Sequence, residues 1–198
     1  ACMADFGHKV TCVDINEERI KGLVKGVIPF FEPGLDRLVL KNVEEDRLHF
    51  TTSLAEGMAE ADVVFIAVQT PMSESGEADL KFVMKVGEAI GELLDSYKVI
   101  GTQSTVPVGT NAALRKVIAG KLKSEVDFDM ASNPEFLREG SSIEDFMRPD
   151  RVVIGVASES AEDLMREIYR PLYLSDTPIV KTDIPTAELV KYASNSFL

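Results

Sequence analysis

The sequence predicts an α/β fold built on a doubly wound parallel sheet, and two observations carry this prediction. Short runs rich in β-branched residues alternate with longer segments of helical period, which is typical of parallel strands joined by helices. The run at 62–68 is almost continuously apolar, as expected of a strand covered on both faces. No internal repeat of fixed period is present, so a repeat architecture is not predicted.

The predicted elements follow one another along the whole chain. Residues 1–6 resemble the end of a helix that Gly7 closes, since glycine often follows a helix C-terminus. Ser53 is a suitable N-cap for a short helix after the second strand. The predicted strands are 10–14, 48–52, 62–68, 98–104, 128–132, 152–156 and 178–180, and the main helices are 16–25, 79–94, 111–119, 161–169 and 185–198.

The composition predicts a soluble, cytoplasmic globular protein. The net charge of −12 disfavours nucleic acid as a partner, although a helix N-terminus can still bind a small phosphate group. No run approaches the roughly 20 apolar residues of a membrane helix, and the first residues are not a signal peptide. Cys2 and Cys12 are too few for a disulfide scaffold, and His8 and His49 have no metal-ligand spacing, so no metal site is predicted.

Asp14 ends the first predicted strand. In a doubly wound sheet ligands bind beyond the carboxyl ends of the strands, and an acidic residue here accepts hydrogen bonds from the ribose of a dinucleotide. Such a residue lies about 20 residues after the glycine fingerprint. We therefore expect a first strand and a glycine loop to precede Ala1. The alternative is an aspartate in a solvent-exposed loop.

Hydroxyl side chains lie at the ends of the third and fourth predicted strands. Thr70 lies in the string VQTP and Thr105 in the string STVPVG. Neighbouring strand ends carry their side chains into the same crevice, where hydroxyls would suit a polar ligand. The alternative is that both threonines make only local hydrogen bonds in turns.

Charged side chains follow the strand at 128–132. If the next residues are helical, Glu135 and Glu139 share one face as a like-charge pair. Paired carboxylates at a strand end favour acid–base chemistry, because each perturbs the pKa of the other. The alternative is an acidic helix face in solvent.

The last predicted helix carries Lys191 and Asn195 on one face, because they are four residues apart. A cation and an amide presented together can stabilise a developing oxyanion. The alternative is that both are ordinary surface residues.

Several strings together resemble the UDP-glucose/GDP-mannose dehydrogenase family. The resemblance covers essentially the whole chain and is most specific between Ser104 and Gly155; Gln69 departs from the proline or asparagine that the family often has there. It implies an NAD-binding, Rossmann-like domain at 1–182, followed by the start of a central connecting helix at 183–198. The strings are FGHKVTCVD at 6–14, PFFEPGL at 29–35, STVPVGT at 104–110, NPEFLREG at 133–140, PDRVVIG at 149–155 and KYASN at 191–195.

The resemblance implies the oxidation of UDP-glucose at C6, in two steps with two NAD molecules, to UDP-glucuronate. For the cofactor it implies that Asp14 holds the adenosine ribose, with Arg19 near the adenine and Thr70 along the cofactor. Thr105 would place a catalytic water beside the cofactor, Glu135 would support proton transfer, and Glu139 would lie between cofactor and substrate. Lys191 and Asn195 would stabilise the oxyanions of the thiohemiacetal and thioester. The residues implied in binding the sugar nucleotide are Glu135, Phe136, Leu137, Arg138, Glu139, Lys191 and Asn195.

The same resemblance implies parts that lie outside this sequence. The glycine fingerprint would precede Ala1, and the nucleophilic cysteine would follow Leu198, since neither Cys2 nor Cys12 matches its loop. We therefore expect this chain alone to be inactive on UDP-glucose, and the intact enzyme to be a homodimer or higher homo-oligomer through the central helix. Two alternatives stay open: a GDP-mannose 6-dehydrogenase, and a non-catalytic nucleotide-binding module.

Overall fold

The computed structural model describes residues 1–72 and 78–197, with the side chains of 175, 195 and 196 outside the description. Two compact units are formed. The first unit comprises Ala1–Glu60, Phe136–Asp150 and Ile168–Thr177, and the second comprises Ala61–Glu135, Arg151–Glu167 and Pro178–Leu198.

The helices and strands alternate as the sequence predicts. The domain boundary predicted at 182/183 falls between the last strand and the last helix and stays a prediction. The strands are β1 (Val10–Val13), β2 (Leu48–Thr51), β3 (Val63–Ile66), β4 (Lys98–Thr102), β5 (Phe128–Ser132), β6 (Val152–Val156) and β7 (Ile179–Thr182). The helices are α1 (Cys2–Asp5), α2 (Glu17–Val24), α3 (Leu35–Glu44), α4 (Leu54–Met58), α5 (Lys81–Leu93), α6 (Thr110–Ala119), α7 (Ser142–Met147), α8 (Glu159–Ile168) and α9 (Ile184–Phe197), with a 3-10 helix at Arg170–Ser175.

The first unit contains the parallel pair β1 and β2. Its core includes Ala4, Val39 and Leu48, and Cys12 packs against them, as expected of a small core residue. The predicted helix end at Gly7 is confirmed, because this residue has a φ of 100°, which is unfavourable for other residues. The N-cap role of Ser53 is confirmed too, since its hydroxyl accepts a hydrogen bond from the Glu56 N–H. No predicted element corresponds to α3.

The second unit contains a five-stranded sheet in the order β3-β4-β5-β6-β7. β3, β4 and β5 are parallel, and so are β6 and β7, but β5 and β6 are antiparallel. The sheet is therefore mostly parallel, as predicted, and β5–β6 is an antiparallel pair within it. A parallel neighbour needs a crossover that returns the chain to the opposite edge. Here β6 instead starts from the edge at which β5 ends.

Helix α9 lies directly on the sheet of the second unit. It packs on β6 and β5, and the contact is close because Gly155 in β6 faces Ala187 in α9. A Cβ at position 155 would lie 2.5 Å from the Ala187 Cβ. The helix that carries Lys191 is thus fixed against the strand beside β5. Over the described ranges, no helix has the length and apolar character needed to cross a membrane.

Candidate active site

In the first unit, Asp14 directly follows β1 and takes part in a short hydrogen-bonded turn. Its Oδ1 accepts from the Asn16 N–H at 2.8 Å, and its Oδ2 pairs with the Arg19 guanidinium at 2.6 Å. The Asn16 side chain in turn caps α2 by accepting from the Arg19 N–H at 2.9 Å. Partial burial raises the pKa of Asp14, but the bonds from Asn16 and Arg19 outweigh that effect and leave the pKa below its usual range.

The Asp14 carboxylate fits the hydroxyls of a nucleotide ribose. It is ionised and partly exposed, at 29% of its side chain. Each carboxylate oxygen has two lone pairs, so both can accept further hydrogen bonds beside those from Asn16 and Arg19. The turn after β1 therefore presents acceptors in a fixed orientation.

The segment from Arg138 to Ser142, also in the first unit, is held by two carboxylates. Asp145 receives both the backbone N–H and the guanidinium of Arg138, which lowers the pKa of Asp145. Glu32 accepts from the N–H groups of Gly140 and Ser142 at 2.9 and 2.8 Å. The motif at 29–35 therefore supports the segment that the resemblance assigns to sugar-nucleotide binding. Glu139 is exposed in the turn with Gly140.

In the second unit, the predicted threonines lie past the ends of neighbouring parallel strands. Thr70 follows β3 and Thr105 follows β4, and the Thr70 hydroxyl donates to the Thr105 carbonyl at 2.9 Å. Ser104 donates from its hydroxyl to the Val68 carbonyl at 2.6 Å. The Thr70–Thr105 bond spans 35 residues of sequence, so it is not the local turn bond of the alternative reading. It also joins the two loops into one polar edge.

Glu135 follows the end of β5 in an extended segment, not in a helix. Pro134 disfavours helical geometry at Asn133. The Asn133 N–H donates to the Thr102 carbonyl at 2.9 Å, and its side chain donates to the Val153 carbonyl at 2.9 Å. The helical segment on which a shared face of Glu135 and Glu139 depended is therefore not formed at 133–138.

Lys191 reaches Glu135 from α9 and is buried, with 7% of its surface exposed. Its ammonium donates to the Glu135 carboxylate at 3.0 Å and to the Glu135 backbone carbonyl. Burial and pairing are not the properties of an ordinary surface lysine. Asn195 lies one turn later in α9, and its side chain is outside the described atoms.

Comparison with known proteins assigns the family. The model of the NAD binding domain of the UDP-glucose/GDP-mannose dehydrogenase family matches residues 1–173. The chain belongs to this family. A dehydrogenase named UDP-glucose 6-dehydrogenase from Rhizobium meliloti is 51% identical over 100% of this chain and 46% of its own length. The chain thus spans about half the length of the curated dehydrogenases that it matches.

Solved structures of dehydrogenases from the family have the same fold. A UDP-glucose dehydrogenase from Pyrobaculum islandicum matches with a TM-score of 0.94 and 38% identity, over 99% of this chain and 45% of its own. A ternary complex of GDP-mannose dehydrogenase from Pseudomonas aeruginosa matches with a TM-score of 0.93 and 34% identity, over 99% and 46%. The Rossmann-like fold expected from the sequence is confirmed.

A buried polar group beside Lys191 was not predicted from the sequence. Glu188 is 2% exposed and accepts hydrogen bonds from the start of α6, while Asn111 in α6 also contacts Thr102 at the end of β4. A signal was available, because a residue three positions before Lys191 lies on the same helix face. Only Lys191 and Asn195 were predicted to lie on that face.

Proposed function

We propose that the full-length protein is an NAD-dependent UDP-glucose 6-dehydrogenase that oxidises C6 twice to give UDP-glucuronate. The main support is the contact of buried Lys191 with the partly exposed Glu135 past the end of β5, in a chain 51% identical to a UDP-glucose 6-dehydrogenase. A non-catalytic binding module does not need a buried cation beside a carboxylate at the end of β5.

The first unit supplies the cofactor contacts of this proposal. The ionised Asp14 accepts the hydroxyls of the adenosine ribose, and Arg19 holds that carboxylate in place. A 2′-phosphate would bring like charges together, so NAD is favoured over NADP. When bound, NAD supplies the hydride acceptor. Proton transfer and charge stabilisation are assigned to side chains.

The second unit supplies the proton and charge chemistry. Glu135 accepts or relays a proton, and its contact with Lys191 keeps the carboxylate at the edge of the sheet. Lys191 carries three N–H donors and stabilises negative charge on the C6 oxygen together with Asn195. Thr105 places a water molecule, and its carbonyl is already held by Thr70.

The proposed substrates are cytoplasmic metabolites, so we place the enzyme in the cytoplasm. We also propose a homo-oligomer in which α9 contacts a second copy. Support comes from its apolar side chains Leu189 and Phe197, which are 56% and 91% exposed. Exposed apolar side chains of this size favour association.

GDP-mannose is the second candidate substrate, because the GDP-mannose dehydrogenase structure is almost as similar as that of the UDP-glucose enzyme. Steady-state NADH formation by the full-length protein, measured with each sugar nucleotide and NAD, separates the two. We expect a kcat/KM for UDP-glucose that exceeds the value for GDP-mannose. The opposite ratio would replace the first candidate by the second, and no turnover with either would favour a non-catalytic module.

Asp14→Ala tests the cofactor assignment. The wild-type enzyme should prefer NAD, and this variant should narrow the ratio of kcat/KM for NAD over NADP by about ten-fold or more, because a like-charge repulsion is removed. Arg19 would then be able to pair with a 2′-phosphate. Asp36→Ala is the matched control, since Asp36 is an exposed aspartate on α3 of the same unit. Equal use of both cofactors by the wild type would refute the assignment.

A further inference from the structure

Glu188 is a buried carboxylate whose hydrogen bonds all come from one place in the second unit. Oε2 accepts from the Gly109 N–H at 2.7 Å. Oε1 accepts from the Asn111 N–H and from its side-chain amide, each at 2.8 Å. Within 1–72 and 78–197, no lysine or arginine forms an ion pair with this carboxylate.

The charge of Glu188 is compensated by α6. The N-cap residue of this helix is Gly109, which offers no side-chain acceptor to the free N–H groups. Glu188, which lies on α9, supplies the missing acceptor. The positive end of the α6 dipole favours its negative charge. A buried charge with three donors is stable only while those donors stay in place. This contact therefore fixes α9 to the start of α6.

The contact also joins the parts of the chain that carry the proposed chemistry. Glu188 and Lys191 are one helical turn apart, so they lie on the same face of α9. Gly109 lies at the end of the loop between β4 and α6, and the same loop contains Thr105. The Asn111 amide continues to the Thr102 hydroxyl at 2.9 Å, at the end of the strand that pairs with β5.

We propose that Glu188 is a positioning residue that holds Lys191 at Glu135 by anchoring α9 to the N-terminus of α6. The effect of Glu188 on catalysis rests on the proposed function, whereas the anchoring of α9 can be tested without substrate. Glu188 acts through Lys191 and touches no reacting atom.

Chemical labelling of lysines measures the anchoring directly. The full-length protein is treated with trace acetic anhydride, and acetylation rates at Lys191 and Lys98 are followed by mass spectrometry. Lys98 is the internal control, because it is 3% exposed in the same unit and donates to the Ala61 carbonyl at the other edge of the sheet. Glu188→Gln should raise the rate at Lys191 by about ten-fold, as expected when charged hydrogen bonds are weakened, and leave Lys98 unchanged.

Two further variants show whether the change in labelling rate at Lys191 is specific to the Glu188 carboxylate. Glu188→Asp keeps the charge but withdraws it by one methylene, so its labelling rate at Lys191 should lie between those of the wild type and Glu188→Gln. Glu162→Gln is the matched control, because Glu162 is a largely buried carboxylate in the same unit that pairs with Arg166 and Lys181. This control should change neither rate. An unchanged rate at Lys191 in Glu188→Gln, or an equal rise at Lys98, would overturn the proposal.

Steady-state kinetics then test whether Glu188 affects catalysis by positioning Lys191. With UDP-glucose, Glu188→Gln should lower kcat by about ten- to a hundred-fold with little change in KM, the effect of a small misplacement of a catalytic group. In a Lys191→Ala background the same change should cost less than about two-fold, because coupled residues are not additive. If Glu188→Gln lowers kcat by the same factor in the Lys191→Ala background as in the wild type, Glu188 has a general structural role. A wild-type enzyme inactive on UDP-glucose would refute the proposed function, and the labelling would still decide the anchoring.

Discussion

Lys191→Ala is expected to lower the kcat of the full-length enzyme for UDP-glucose by about a hundred- to a thousand-fold. The reason is that removing one donor to a developing oxyanion typically costs on the order of 3 kcal/mol in the transition state. KM should change little, because this contact strengthens only as charge develops on the C6 oxygen. Initial rates of NADH formation over a range of UDP-glucose concentrations measure both constants.

Two further variants test whether the loss of kcat is specific to the Lys191 ammonium. Lys85→Ala removes an exposed lysine from α5 of the same unit and should leave kcat unchanged. Lys191→Arg keeps the charge but replaces a compact ammonium by a planar fork, so it should recover only part of the activity. An unchanged kcat in Lys191→Ala would return Lys191 to a structural role beside Glu135.

Gly155→Ala is expected to destabilise the second unit by about 1–3 kcal/mol, the usual cost of an extra methyl group in a closely packed contact. The new Cβ would lie 2.5 Å from the Ala187 Cβ and 2.9 Å from the Asp183 carbonyl oxygen. Neither atom belongs to a flexible side chain, so α9 itself has to move away from β6. Urea denaturation of the full-length protein, followed by circular dichroism, measures the loss in the free energy of unfolding.

Gly22→Ala is the matched control for this substitution. Gly22 lies in α2, and its new Cβ would meet no atom closer than 3.6 Å. Alanine is the better helix former by up to about 1 kcal/mol, so this variant should be as stable as the wild type or more so. Equal stabilities for the two variants would contradict the close contact between β6 and α9.

The alternation of strands and helices could be predicted because it depends on local patterns. The strands at 128–132 and 152–156 have the predicted bounds. The direction of β6 relative to β5 could not be predicted in this way, because no local pattern encodes the orientation of a neighbouring strand. The extended segment that begins at Asn133 could not be predicted for a related reason, because the hydrogen bonds of Asn133 go to β4 and β6, of which the first is distant in sequence.

The candidate site was predicted from strand ends and from motifs, which select positions where a ligand of this fold is expected to bind. Asp14, Thr70, Thr105 and Glu135 each follow a strand as expected, although their roles stay predictions. Glu188 was missed because a glutamate in a helix is usually exposed. Its burial depends on a partner 77 residues away in the sequence. Supporting contacts of this kind are visible only once the elements are assembled.

The reversal of strand direction after β5 sets a length requirement on the chain that leads to Lys191. Because β7 runs opposite to β5, it ends at the edge remote from Glu135, and α9 has to cross back over the sheet. A helix rises about 1.5 Å per residue, so the stretch from Ile184 to Lys191 covers about 10 Å of that return. Inserting or deleting one residue in this stretch would turn the ammonium by about 100° and point it away from the carboxylate. Exposed side chains in this stretch can vary, whereas Ala187 and Glu188 make buried contacts. The number of residues cannot change.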